Sequence, residues 1–138
     1  MSEALVRRAL EFTNAHGEEP TDEELADVFS PDIVLDMSVR VFNPKVYEGY
    51  AGLREFRTDA LEIWESLVIS ATELIEEGDS VLVLTRVQSR GRGSGVPMDV
   101  EGAGIWTAAE GRLKHYRLLS PGIVERDDAI AALREQAR

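Results

Sequence analysis

The sequence predicts an α+β fold, a curved, mostly antiparallel sheet forming a cone around a long helix, with N-terminal helices closing it. Three observations carry that expectation. Leu53, Phe56, Ala60, Ile63, Trp64 and Leu67 recur at spacings of three and four, so residues 51–66 carry one apolar helical stripe. Beyond residue 67 the pattern changes to strand-like runs. Those runs are separated by Glu77-Gly78-Asp79, Gly91-Arg92-Gly93-Ser94-Gly95 and Glu110-Gly111, links too short for anything but antiparallel neighbours.

Each element has a local cause. Residues 3–15 read as a helix with Leu5, Ala9 and Phe12 on one face, ended by Gly17. Thr21-Asp22-Glu23-Glu24 is a capping box that starts a short second helix, burying Leu25, Val28 and Phe29 before Ser30-Pro31 stops it. Ile33 to Met37 is a brief strand, and residues 38–49, with Asn43-Pro44 and Gly49, read as loop. The helix over 51–66 follows, then strands over 67–76, 80–90, 97–109 and 112–119. After Ser120-Pro121-Gly122, a last helix from Asp127 to Gln136 carries Ile130 and Leu133. Helices first and a strand meander afterwards place the helices on one face of the sheet. A sheet wrapped around a helix leaves a cavity at its open end.

Composition narrows the function. The 138 residues fit one domain spanning 1–138, and 43% hydrophobic with 30% charged residues is an ordinary globular balance. A formal net charge of −11 disfavours nucleic acid as a partner, since phosphate neutralisation needs surplus Lys and Arg. No apolar run reaches the ~20 residues of a bilayer span and the start lacks a signal-peptide stretch, so a cytoplasmic protein without membrane association is expected. The chain has no cysteine, which removes thiolate chemistry. His16 and His115 stand far apart with no H-x-x-x-H or H-x-E pattern, so neither a metal site nor any other cofactor is expected. His16 suits a helix C-terminus, and His115 alternates with Tyr116 at the surface or an interface. The glycine-rich 91–95 segment precedes a strand rather than a helix and reads as a hairpin tip, not a phosphate loop.

Several side chains are candidates for a site. Asp36 ends the apolar strand Ile33-Val34-Leu35: facing a cavity it is a carboxylate of raised pKa able to take a proton, and facing water it caps a turn. Arg86 follows Leu82 and Leu84 with Gln88 beyond, and residues two apart share a strand face. Pointing inward, Arg86 and Gln88 line a cavity in which Arg86 needs an acidic or carbonyl partner, with Asp36 the first candidate. Pointing outward, Arg86 meets solvent or another subunit. Trp64, Trp106 and Tyr116 either line an apolar pocket or fill the core, and Tyr47 covers a cavity mouth or a helix end. Apolar residues on both strand faces, Val81, Val83 and Val87 opposite Leu82 and Leu84, exceed what one helical layer covers, so a homodimer through the outer sheet face is expected.

The stretch Val46-Tyr47-Glu48-Gly49-Tyr50-Ala51-Gly52-Leu53-Arg54-Glu55-Phe56, running on to Trp64-Glu65, resembles the glycine-started third helix of SnoaL-like proteins of the nuclear transport factor 2-like superfamily. Glu77-Gly78-Asp79, the Arg90-to-Gly95 hairpin with Val96-Pro97-Met98, and Ile105-Trp106-Thr107 before Glu110-Gly111-Arg112-Leu113 follow in the order of that group. The resemblance covers nearly the whole chain and implies the cone fold of ketosteroid isomerase-like proteins. It is specific for fold and weak for activity, because the superfamily holds isomerases, cyclases, epoxide hydrolases and non-catalytic binders.

The catalytic sets that the resemblance implies match poorly. An isomerase-like site needs a tyrosine on the first helix, absent from residues 3–15, and a buried acid on the penultimate long strand, where Ala103 and Gly104 stand. Pairing Asp32 with the family's usual aspartate puts Met37 at the place of the isomerase's base, one residue past Asp36. A limonene epoxide hydrolase-like site matches its arginine at Arg86, while its two carboxylates fall at Gln88 and Leu118. Two function classes remain. One is a domain binding a small apolar or carbonyl-bearing ligand in an apolar pocket, an isomerase or cyclase acting on a cyclic or polyketide-like molecule. The other is a non-enzymatic dimerising or partner-binding domain with a filled cavity. An open pocket containing a desolvated acid, base or arginine discriminates in favour of the first.

Overall fold

The computed structural model describes residues 2–14, 19–40, 43–120 and 125–136. Helices α1 (Ser2–Asn14) and α2 (Asp22–Ala26) precede strands β1 (Phe29–Met37) and β2 (Lys45–Glu48). Helix α3 (Gly49–Ile63) leads into β3 (Trp64–Glu77), β4 (Ser80–Gly91), β5 (Pro97–Ala109) and β6 (Arg112–Ser120), and α4 (Arg126–Gln136) ends the described chain. The six strands form one curved open sheet in the order β2-β1-β6-β5-β4-β3. Every neighbouring pair is antiparallel except β1 and β6, which run parallel because β6 returns to the sheet beside a strand distant in sequence. Among the described residues, no helix is long and apolar enough to cross a membrane.

Local chemistry explains the entries to the helices. At α2 the Glu24 amide donates to the Thr21 hydroxyl at 3.2 Å and the Thr21 amide donates to the Glu24 carboxylate at 3.3 Å, completing the expected capping box. The helix ends at Ala26, so Val28 and Phe29 belong to the turn and to β1 rather than to a helix face. Gly52 lets α3 approach β2: a Cβ there would lie 2.9 Å from the Tyr47 carbonyl carbon. Residues His16, Gly17, Pro121 and Gly122, assigned above to helix ends and turns, lie outside the described residues.

Two boundaries differ from the sequence reading. Residues 45–48, read as loop, form β2 and pair with β1 at Tyr47 opposite Leu35. Helix α3 stops at Ile63, and Trp64 already has extended backbone, φ −113° and ψ 130°, pairing with Gly91. The apolar stripe continues through that boundary by coincidence of spacing. Leu53 is buried and Phe56 and Ala60 are half-buried, but Ile63 is 44% exposed. The stripe is therefore covered at its N-terminal end and open at the other.

The sheet separates two cores. Its concave face packs α1 and α3 over Val6, Leu35, Tyr47, Leu53, Val83, Trp106 and Leu113. The outer face carries Leu82, Ala103 and Ile105 under Ala129 and Leu133 of α4. Arg126 grips Glu73 through two 2.7 Å bonds, and Gln136 bridges Arg117 and Thr107 at 3.0 and 3.1 Å. The apolar outer patch on which the homodimer expectation was built is thus covered within the chain around Leu82. The reason is that a second helical layer, α4, exists on that side.

Candidate functional site

Strand alternation decides what faces the concave side. On β4, Val83, Thr85 and Val87 point inward, and their partners on β5 are Gly104, Gly102 and Val100. Beside them, Trp106 pairs with Tyr116 and Gly104 with Leu118, and Tyr116 pairs in turn with Leu35 of β1. Together with Phe12 and Thr13 of α1, Phe29, Met37, Arg40, Leu53, Phe56 and Ile69, these residues enclose a cavity of about 260 Å³. The wall is overwhelmingly apolar, the composition of a small-molecule site. Aromatic rings meet edge-on or tilted along it: Phe12 to Phe29 at 5.6 Å, Phe29 to Trp106 at 6.1 Å and Trp106 to Tyr116 at 4.7 Å.

Tyr116 supplies a polar group to this wall. Its ring lies across the backbone of Gly104, where an added Cβ would overlap the phenol, so a side chain at 104 would displace Tyr116. Burial pushes the Tyr116 hydroxyl well above the ordinary tyrosine range, and no hydrogen bond or charge offsets that effect. The phenol therefore stays protonated at neutral pH and remains a donor without a partner among the described residues. The side chain as a whole keeps partial exposure because it borders the cavity.

Arg40 supplies a second polar group. Its Nη2 donates to the Asn43 carbonyl at 2.8 Å and to the Tyr47 hydroxyl at 2.9 Å. Tyr47 in turn donates to Asp59 at 2.7 Å, and Lys45 holds both Asp59 at 3.2 Å and Glu55 at 2.8 Å. Desolvation raises the Tyr47 pKa, while the Tyr47 hydrogen bond, followed by Lys45, lowers that of Asp59. Arg40 Nε is buried with no hydrogen-bond partner. A buried donor left unpaired costs about 1–3 kcal/mol.

The sequence-selected residues separate into three groups. Trp106, Tyr116 and Leu118 line the cavity. Tyr47 is buried behind its wall, where its hydroxyl anchors Arg40, and Trp64 borders a smaller neighbouring cleft of about 30 Å³ between α1, α3 and β3. Asp36, Arg86 and Gln88 face the outer side. Asp36 alternates with the inward Leu35 and Met37 and accepts from the Ser38 amide at 3.0 Å and hydroxyl at 2.6 Å, capping the turn after β1. Those two bonds lower its pKa, opposite to the direction a proton-abstracting base requires. Arg86 pairs with Asp99 through Nε at 2.8 Å and Nη2 at 2.5 Å, half-exposed, and Gln88 lies opposite Asp99 in the register. The expected Arg86–Asp36 pair therefore does not form, because β4 presents Leu82, Leu84, Arg86 and Gln88 away from the cavity.

Arg40 escaped the sequence reading because it lies just beyond β1, in a stretch with no period. The available signal was a lone basic residue three positions past the apolar strand that ends at Met37. Among the described residues, no group of three or more His, Asp or Glu side chains could hold a metal ion.

No curated protein matches the chain. Among solved structures, it is similar to a Catenulispora acidiphila DSM 44928 protein with a ketosteroid isomerase-like fold in complex with trimethylamine. That likeness has a TM-score of 0.68 at 12% identity and covers 94% of this chain and 92% of the other. It is also similar to TerC co-crystallized with polyporic acid, with a TM-score of 0.68 at 16% identity over 97% of this chain and 98% of that one. A third similar structure is SalBIII, described as an epoxide hydrolase/cyclase-like enzyme with a role in pyran ring formation in the polyether salinomycin. Its TM-score is 0.65 at 17% identity, covering 85% of this chain and 88% of that one. At these identities the likeness shows the fold, the cone of nuclear transport factor 2-like proteins. The match to the SnoaL-like domain extends over residues 6–116, from α1 through the cavity-lining Tyr116, and the chain belongs to that family.

Proposed function

We propose that this SnoaL-like domain binds a small cyclic or polyketide-like ligand in the cavity under Trp106 and Tyr116, and promotes its cyclisation by polarising a ligand carbonyl. The observation that carries the reading is the Tyr116 hydroxyl, which borders an apolar cavity with no hydrogen-bond partner among the described residues. A donor in a water-poor site is worth more to an oxygen that gains charge during reaction than to the resting carbonyl. A carbonyl held by Tyr116 becomes more electrophilic, and a hydroxyl oxygen of the same ligand, folded against the aromatic wall, can add to it. The C–O bond forms as the carbonyl π bond breaks, and the hydroxyl proton reaches the former carbonyl oxygen through the Tyr116 phenol, which gives one proton and regains another. Shape does the remaining work by holding the reacting ends together.

Isomerisation by proton abstraction is the less favoured chemistry. Among the described residues, the one carboxylate-bearing lining residue is Glu101, whose backbone partner on β4 is the outward Arg86. Asp36, the sequence candidate for a base, caps a turn. The description of SalBIII as a cyclase-like enzyme supports the cyclase reading, and an open cavity bordered by Arg40 speaks against the filled-cavity alternative. Native mass spectrometry after gentle purification tests the proposal. The expected result is a co-purified apolar ligand retained by the wild type and depleted in Tyr116→Phe. Equal retention by the variant would remove Tyr116 from the site.

A further inference from the structure

We infer that Arg40 is the anion-recognition residue of this cavity, so that the ligand carries a negatively charged oxygen, a carboxylate or an enolate, beside its apolar rings. The inference rests on the cavity being a ligand site and adds the charge of what occupies it. Arg40 borders the cavity, and its Nε is enclosed without a partner. Among the described residues it has no direct carboxylate. Asp59 reaches it only through the Tyr47 hydroxyl, and both Asp59 and Glu55 are already engaged by Lys45.

The arrangement fixes the guanidinium rather than neutralising it. Nη2 is tied to Asn43 and Tyr47, and the Arg40 carbon stands 5.6 Å from the Tyr47 ring centroid, so the side chain is braced on two sides. Glu101, the acidic lining residue, sits opposite Arg86 on the outer face of the strand pair. A guanidinium at the edge of an apolar cavity, with its Nε unpaired, favours a charged acceptor over a neutral one. Tyr116 and Arg40 then offer two oxygen positions of different character: a neutral donor for a carbonyl and a cationic donor for an anionic oxygen.

The test compares naphthoate with naphthamide, probes of the same shape that differ in charge, by calorimetric titration of the full chain. The wild type is expected to bind naphthoate on the order of tenfold tighter, the margin of one charge-assisted hydrogen bond. Arg40→Gln is expected to abolish that margin while keeping naphthamide binding, and Arg7→Gln, which removes an exposed cation from α1, to preserve it. Equal affinity for the two probes, or a preference that survives Arg40→Gln, would overturn the assignment of Arg40 and leave the cavity reading standing. Failure of the wild type to bind either probe would overturn both. Should Arg40→Gln prove unfolded by circular dichroism, the wild-type ratio decides together with the Arg40 Nε–H resonance in nitrogen-proton NMR. A shift of that resonance on naphthoate addition, absent with naphthamide, is the expected outcome, and no difference between the probes contradicts the inference.

Discussion

Gly104 and Tyr116 make one unit. The absence of a side chain at 104 lets the phenol cross the β5 backbone and reach the cavity, and the two residues should respond to substitution together. Gly104→Ala forces the tyrosine out of its place, with an expected loss of about 1–3 kcal/mol in urea unfolding, the usual cost of overpacking. A stability within error of the wild type would mean that Tyr116 has room the structure does not show. Tyr116→Phe removes only an unpaired hydroxyl, so its fold stability should be unchanged while ligand affinity falls about five- to tenfold. Asp36 gives the residue scale a pH signature. Its folded pKa is lowered by Ser38, so its contribution to stability is present above the unfolded value and is lost as pH falls through the folded one. NMR titration should place Asp36 below the ordinary 3.8, and Ser38→Ala should move it upward. A raised value in the wild type would contradict the turn-capping role and revive Asp36 as a base.

At the scale of elements, α3 and β2 depend on one close approach. Gly52→Ala sets a methyl carbon against the Tyr47 backbone and should cost about 1–3 kcal/mol. Tyr47 anchors Arg40, so the same change should also weaken recognition of an anionic probe. What could be read in advance follows from regularity. The long strands β4, β5 and β6 are set off by glycine-bearing turns and could be placed from sequence, whereas Trp106 and Tyr116 could be read only as lining a pocket or filling the core. The phase of β4 could not. Leu82 and Leu84 are as apolar as Val81 and Val83, and only the presence of α4 over the outer face tells which set looks inward. Arg86 and Gln88 follow Leu82 and Leu84 to the outer side, because side chains two apart on a strand share a face. β2 is four residues long, too short for alternation to register, and Arg40 stands between it and β1 in a segment without a period.

For the whole molecule, the sheet divides two tasks. The concave side, closed by α1 and α3, holds the cavity, and the outer side is stabilised by α4. A chain ending before Arg126 exposes Leu82 and Ile105, and should self-associate in light scattering at concentrations where the full chain does not change state. If the truncated chain keeps the assembly state of the full one, α4 is not what shields that face. The central claim, that the cavity under Trp106 and Tyr116 takes a ring ligand, is tested most directly by fluorescence. The chain has two tryptophans, so Trp64→Phe leaves Trp106 as the sole indole reporter. Titrating that variant with naphthoate should quench Trp106 saturably at one site per chain, and Leu118→Trp measured by calorimetry should lose binding as the added ring fills the cavity. Linear, unsaturable quenching of Trp106, or undiminished binding by the filled variant, would contradict the account.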